Sequence, residues 1–346
     1  MSDSQSVHPS RLSKTNRADP HDGEYGPSTA KALNQPLTTC DGVSLRTDVI
    51  RGNGDGIEPE TWRNAVWTWR DWYEDSRDSK VIFADPEGNE VSGSDPNRFH
   101  PDYGDKQYAK LKDLERGVKA EYGKQLHTGM LTLSASSMGD GGPIPPVDHL
   151  NSLLASYDAV RRSLSRVLDG NRWEYLAILE PHKSGYLHLH IAVFVEGAIV
   201  DAMFQPVVDA HLRNCKLAEK DAHDVEDDGV VSTRWAGGDR DTGDGHIDEL
   251  AIYLAEYLGT YGDDPLDQAE HVQMANSLLW ATGRQRWRPS NGAQQYMSTN
   301  RSPPDPDWDL VGIEDASGEL HEVDGGGGGG ANKIRTWIPD RGPPPD

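Results

Sequence analysis

The run Gly185-Tyr-Leu-His-Leu-His-Ile-Ala-Val-Phe-Val195 reads as a strand that is apolar apart from two histidines. Alternation along a strand puts His188 and His190 on one face, roughly 7 Å apart, and Leu187, Leu189, Ile191 and Val193 on the other. Two imidazoles so placed can share one metal ion. About sixty residues later, Tyr253-Leu-Ala-Glu-Tyr257-Leu-Gly-Thr-Tyr261 repeats a phenol every fourth residue, which aligns the three on one stripe of a helix. A metal site followed by a tyrosine stripe predicts phosphoryl transfer to tyrosine.

A chain of 346 residues can bury a sizeable core without staples. Its two cysteines, Cys40 and Cys215, argue against a disulfide framework and for a reducing compartment. The first residues have no apolar core that could act as a signal peptide, and no apolar stretch is long enough to span a bilayer, so a cytoplasmic protein with no membrane partner is expected. The formal charge of -23 would ordinarily argue against nucleic acid as a partner. Yet Asp outnumbers Glu about two to one, Arg outnumbers Lys in a similar ratio, and the acid is scattered rather than gathered in a tail. In concentrated salt such self-repulsion is screened almost completely, so the pattern points to a protein from a halophile rather than an ordinary acidic mesophile enzyme, and on that reading net charge says little about partners. Five lysines, Lys106, Lys110, Lys112, Lys119 and Lys124, fall in one short segment, and Trp280-Ala-Thr-Gly-Arg284-Gln-Arg286-Trp287-Arg288 interleaves guanidinium groups with aromatic faces. Both patterns suit gripping phosphate and stacking unpaired bases, and both also suit a solvated helix face or a packed Trp/Arg cluster.

Along the chain, residues 1–57 are rich in Ser, Asp, Gly, Pro and Asn without periodicity and read as disordered or loosely attached. Residues 58–104 read as a helical extension around Trp62, Trp67, Trp69 and Trp72 followed by a loop from Asp85 to Asp102. A helix with a basic outer face is expected over Asp105 to Tyr122, then a strand at Met130–Ser134 and one long helix, N-capped by Asp148 and stopped at Asp169-Gly170. Trp173–Glu180 is the next strand, and Pro181-His-Lys-Ser-Gly185 turns it back into the histidine strand as an antiparallel partner. A helix follows through Val207, His211 and Cys215, and residues 301–346 read as a flexible Gly- and Pro-rich tail. The hairpin would bring Glu180 toward the imidazoles, and two nitrogens and one oxygen around a divalent ion leave positions open for water and a phosphate oxygen. Mn2+ or Mg2+ suits that chemistry. His211 and Cys215, one helical turn apart with His223 beyond, could in principle ligate zinc, although no fourth ligand is visible and packing is the simpler reading.

Three elements thus stand in order: an apolar strand, a His-hydrophobic-His strand and a helix with paired tyrosines. This order resembles the HUH endonucleases, and the phrases Leu179-Glu-Pro-His-Lys-Ser-Gly-Tyr-Leu-His-Leu-His190 and Tyr253-Leu-Ala-Glu-Tyr257 look most like the two-tyrosine rolling-circle initiators of haloarchaeal plasmids and pleomorphic viruses. The resemblance covers residues 105–300 and implies an α+β fold, a central antiparallel sheet flanked by helices. It implies His188, His190 and Glu180 as metal ligands, Tyr253 and Tyr257 as nucleophiles, and nicking of single-stranded or locally melted origin DNA through a 5′ phosphotyrosine. Lys106, Lys110, Lys183, Arg284, Arg286 and Arg288 are the candidate DNA contacts. Glu256 and Thr260 stand where members of this kind often carry a lysine in the tyrosine helix. No phosphate-binding P-loop is present, so unwinding falls to a host helicase, and the freed 3′ hydroxyl goes to a host polymerase. A relaxase or single-strand transposase of the same chemistry, or a DNA-binding regulator without cleavage, are the competing expectations.

Overall fold

A computed structural model describes residues 29–53, 56–94, 97–225, 229–237, 264–297, 308–315 and 317–322. Its strands are β1 (Ile50–Asn53), β2 (Gly56–Pro59), β3 (Lys80–Ala84), β4 (Glu90–Ser94), β5 (Leu126–Leu133), β6 (Met138–Gly139), β7 (Gly142–Pro143), β8 (Trp173–Pro181), β9 (Leu187–Glu196), β10 (Val231–Trp235), β11 (Trp287–Pro289), β12 (Asp309–Glu314) and β13 (Leu320–Glu322). Its helices are α1 (Thr29–Leu33), α2 (Trp62–Ser76), α3 (Pro101–Tyr122), α4 (Pro146–Ala155), α5 (Tyr157–Val167), α6 (Gln205–Asn214), α7 (Glu270–Thr282) and α8 (Asn291–Tyr296).

The centre is a five-stranded sheet in the order β10-β5-β9-β8-β11, each neighbour antiparallel to the next. The expected central antiparallel sheet with flanking helices is therefore present. β8 and β9 are buried along most of their length because both faces are covered, which is why they read as continuous apolar runs. One face, carrying Leu131, Leu133, Ala177, Leu179, Leu189, Ile191 and Val193, joins the larger core with α2, α4, α5, α6 and α7. The other, carrying Met130, Leu176, Ile178, Ala192 and Phe194, packs on Leu111, Leu114 and Val118 of α3 and on α8.

Several sequence readings change. Of residues 1–57, read as disordered, 29–53 fold onto the core: Ala32, Leu33, Leu37 and Val49 are buried. Leu37 exchanges backbone bonds with Glu60 and Val147, and Arg46 N–H donates to the Ala281 carbonyl. The order comes from partners between about twenty and more than two hundred residues away, which leave no local periodicity to read. The long helix breaks at Ser156 into α4 and α5, where the serine hydroxyl donates to the Leu153 carbonyl (2.8 Å) and bonds His211 Nδ1 (2.7 Å). Asp148 is not a cap, because its carboxylate accepts from Thr38 Oγ1, Thr39 N (3.0 Å) and Thr39 Oγ1 (2.9 Å), tying the N-terminal segment down. A second sheet, β13-β12-β3-β4, draws on the stretches read as loop and tail: β4 lies within 85–102, and β12 and β13 within 301–346. Its strands are short, and they are made strands by pairing with one another, above all β3 with β12, not by any local periodicity.

Candidate metal centre

His188 and His190 lie on β9, and Glu180 is the penultimate residue of β8. In the antiparallel register Glu180 stands opposite His188, and His190 stands between Ile178 on β8 and Thr132 on β5. Paired residues share a face, so Glu180, His188, His190 and Thr132 all project from the α3 side, at the end of the sheet beyond the apolar rows that α3 covers. The two rings have centroids 6.4 Å apart. His190 is buried and His188 half-buried, so the site has one ring set in the protein and one reaching outward.

His190 is held from both sides. Its Nδ1 bonds Thr132 Oγ1 (3.2 Å), and its Nε2 lies 2.5 Å from Glu180 Oε2. Where Nδ1 donates to the hydroxyl, Nε2 carries a lone pair and faces a carboxylate oxygen; in the other tautomer Nε2–H donates to that oxygen. Two acceptors so close require a proton or a cation between them, and a nitrogen and an oxygen are the donor set of a divalent ion of intermediate hardness. Thr132 was invisible to sequence reading except through strand parity. A further residue beside the pair, His182 in the β8–β9 turn, stacks on His188 with ring centroids 5.0 Å apart, and its only signal was the phrase Pro181-His-Lys-Ser-Gly185.

Tyr253 and Tyr257, and Tyr261 with them, lie outside the described residues. Of the candidate DNA contacts, Lys106 is exposed on α3, and Lys110 places its ammonium 5.9 Å from the centroid of the Trp287 ring, whose strand position is opposite Ile178. Lys183 is exposed next to His182. Arg284 is exposed just past α7. Arg286 is an internal strut: its guanidinium donates to Asn276 Oδ1, and burial together with nearby Arg98 pulls its pKa down to about 10, against the opposing pull of Glu180. Arg288 pairs with Ala177 and so projects from the opposite face, its guanidinium 5.7 Å from the Tyr157 ring. The structure thus sets Glu180 against His190 and opposite His188 in the register, places Lys106 and Lys110 on the helix over that face, and directs Arg288 away from it.

Other clusters resolve into packing. Lys112 and Lys119 pair with Glu115 within α3. Trp280 is fully buried under the Arg46 guanidinium, 4.5 Å from its ring. His211 has Nδ1 on Ser156 and Nε2 on the Ser134 carbonyl (2.8 Å), while His223 bonds the Glu219 carbonyl (2.7 Å) and accepts from Ser134 N (3.0 Å). With both nitrogens of each ring engaged, the zinc reading of His211, Cys215 and His223 falls. Asp315, Glu319 and His321 do cluster, but Asp315 accepts from Ser317 N, Ser317 Oγ and Glu319 N in closing the turn between β12 and β13.

Residues 34–340 match the family model described as "Putative rep protein (DUF1424)". An "Uncharacterized 36 kDa protein" of Halobacterium salinarum is 42% identical over 293 residues, covering 82% of this chain and 93% of the relative. Another of the same description, from Halobacterium sp. (strain GN101), is 41% identical over 303 residues, covering 82% of this chain and 92% of that one. No solved structure matches. Among the described residues no helix is long and apolar enough to cross a membrane.

Proposed function

This chain belongs to the DUF1424 family, and from that premise we propose that it is a rolling-circle replication initiator which nicks and rejoins single-stranded or locally melted origin DNA through a phosphotyrosine. The observation that carries the reading is the meeting of Glu180 with His190 at 2.5 Å, beside His188, on one open end of an antiparallel sheet. A regulator that only binds DNA has no use for an imidazole pair facing a carboxylate. His188, His190 and Glu180 would hold Mn2+ or Mg2+, and that ion, when bound, supplies Lewis-acid polarisation of a phosphate oxygen.

The chain's own residues carry the rest. Thr132 holds the ring of His190 through Nδ1, so that Nε2 is turned to Glu180. Lys106, Lys110 and Lys183 hold the strand's phosphates, on elements that border the site. The phenol oxygen of Tyr253 or Tyr257 forms the new bond to phosphorus as the P–O3′ bond breaks, so the 5′ side of the nick remains on the enzyme and the 3′ hydroxyl leaves with the proton. A phenol with pKa of about 10 needs a nearby positive charge to attack near neutrality. Because one phosphodiester replaces another, the second tyrosine can repeat the cleavage after a round of synthesis, and attack by a 3′ hydroxyl on the first linkage closes a circle without ATP. A host polymerase extends the freed 3′ end, and a host helicase opens the duplex.

The test incubates the protein with single-stranded DNA of its own replicon and Mn2+ in high salt, comparing wild type with Tyr253→Phe, Tyr257→Phe and the double mutant. A DNA adduct that survives denaturation and disappears in the double mutant is the expected result. Binding without any adduct would leave a non-cleaving regulator instead.

A further inference from the structure

The β8–β9 turn does more than reverse the chain. His182 lies against the outer side of His188, planes inclined by only 21° and centroids 5.0 Å apart, while His190 flanks the other side at 6.4 Å and 43°. His188 is therefore sandwiched between one imidazole from its own strand and one from the turn.

His182 is itself fixed. Its N–H donates to the Tyr186 carbonyl (2.8 Å), its carbonyl accepts from Gly185 N (2.8 Å), and its Nδ1 meets the Ser184 hydroxyl (2.9 Å) and backbone N–H (3.3 Å). Ser184 is buried. Gly185 has φ +87°, and a Cβ there would stand 2.8 Å from the Met274 side chain, so the turn is pressed against α7. Tyr186 beside it is buried, edge-on to Trp62 at 5.1 Å, and its hydroxyl donates to the Ile144 carbonyl. The turn is a bracket anchored on α2 and α7, and the face it presents to the site is the flat ring of His182.

That matters because a half-exposed histidine has a broad, roughly two-fold χ2 preference. A ligand that must be oriented on each binding event binds more weakly than one already set, and losing a residue that orients a ligand costs about 10- to 100-fold in metal affinity. His190 has Thr132 to orient it. We infer that His182 is the corresponding positioning residue for His188, holding its ring plane by stacking so that the imidazole is pre-set for a divalent cation. The inference rests on the reading of His188 as a ligand and adds the device that orients it.

The experiment is titration of the full chain in molar salt with Mn2+ alone, following free Mn2+ by electron paramagnetic resonance, for wild type, His182→Ala, His182→Phe and Ser184→Ala, with thermal unfolding in parallel. His182→Ala should weaken Mn2+ binding by about tenfold or more. His182→Phe keeps a flat ring without nitrogen and should recover most of that loss, and Ser184→Ala should give a smaller weakening. Should His182→Ala fail to fold, the comparison of His182→Phe and Ser184→Ala with wild type still decides. Wild-type affinity in His182→Ala overturns the inference, and so does a His182→Phe as weak as His182→Ala, because the nitrogen itself would then be a ligand. If wild type takes up no Mn2+, the metal centre itself is overturned, and the role of His182 with it.

Discussion

Thr132 is the smallest side chain of the candidate metal centre and the one whose removal would separate chemistry from folding. Its hydroxyl is the partner of His190 Nδ1 in a buried setting, and so holds the ring in the orientation that turns Nε2 to Glu180. Thr132→Val keeps the β-branched shape that β5 packs around, so we expect a folded protein whose Mn2+ affinity and nicking rate fall by about 10- to 100-fold. Unchanged metal binding in that variant would reduce Thr132 to filler. His188→Ala and His190→Ala should abolish nicking while DNA binding persists, and undiminished nicking would sink the metal assignment. Two other histidines act on stability instead. His149 is fully buried with Nε2 on the Ala135 carbonyl, His211 is buried between Ser156 and Ser134, and burial pulls both pKa values from 6.5 down to about 4. The unfolded chain then binds more protons than the folded one between those values, so their stability is intact above pH 6.5 and drains as pH falls toward 4. Between pH 7 and pH 5 the loss is on the order of 2 kcal/mol per group. Thermal denaturation at the two pH values in the same salt checks it, and equal melting temperatures would contradict the burial of both rings.

At the scale of elements, the β8–β9 hairpin decides whether the site exists. Gly185→Ala imposes a side chain where φ is +87° and where Met274 already sits, so the turn must open or α7 must move. The conformational part alone costs about 1–2 kcal/mol. We expect lower stability in a denaturant titration together with weakened Mn2+ binding, since the turn also carries His182; a variant as stable as wild type would show that the turn is not braced as described. This hairpin is the part of the molecule most legible in the sequence, because alternation, an apolar run and a Gly-containing turn are all local signals. The same is true of α2, α3 and the burial of Leu187, Leu189, Ile191 and Val193. What escaped reading is what depends on distant partners: the break at Ser156 made by His211, the capture of Thr38 and Thr39 by Asp148, and the pairing of β3 with β12 across more than two hundred residues. In the candidate site, Glu180, His188 and His190 could be read from spacing, whereas Arg286 and Arg288 could not be sorted. Their fates turn on strand parity in a three-residue edge strand and on what lies behind it.

For the whole molecule, the question is how a chain with formal charge -23 can bind a polyanion at all. The basic groups near the site, Lys106, Lys110 and Lys183, are few, and the surrounding acids would repel DNA over a Debye length of about 10 Å at 0.1 M salt. At 1 M that length shrinks to about 3 Å, so only groups in direct contact with a phosphate still sense it. High salt also weakens those contacts through the loss of counterion-release entropy, so binding must lean on geometry, stacking and the metal centre more than on long-range attraction. The same screening removes self-repulsion from the folded state, and exclusion of salt from the protein surface strengthens burial. The haloarchaeal relatives share this setting. The expectation is therefore a protein that unfolds on dialysis into dilute buffer, regains its secondary structure when molar KCl is restored, and nicks its origin DNA only in the salt range where it is folded. Circular dichroism and the adduct assay, run along one salt series, test both halves together. A chain that stays folded and active in dilute buffer would mean that the scattered acids are not a salt adaptation, and that the three lysines hold DNA against the full field of the surface.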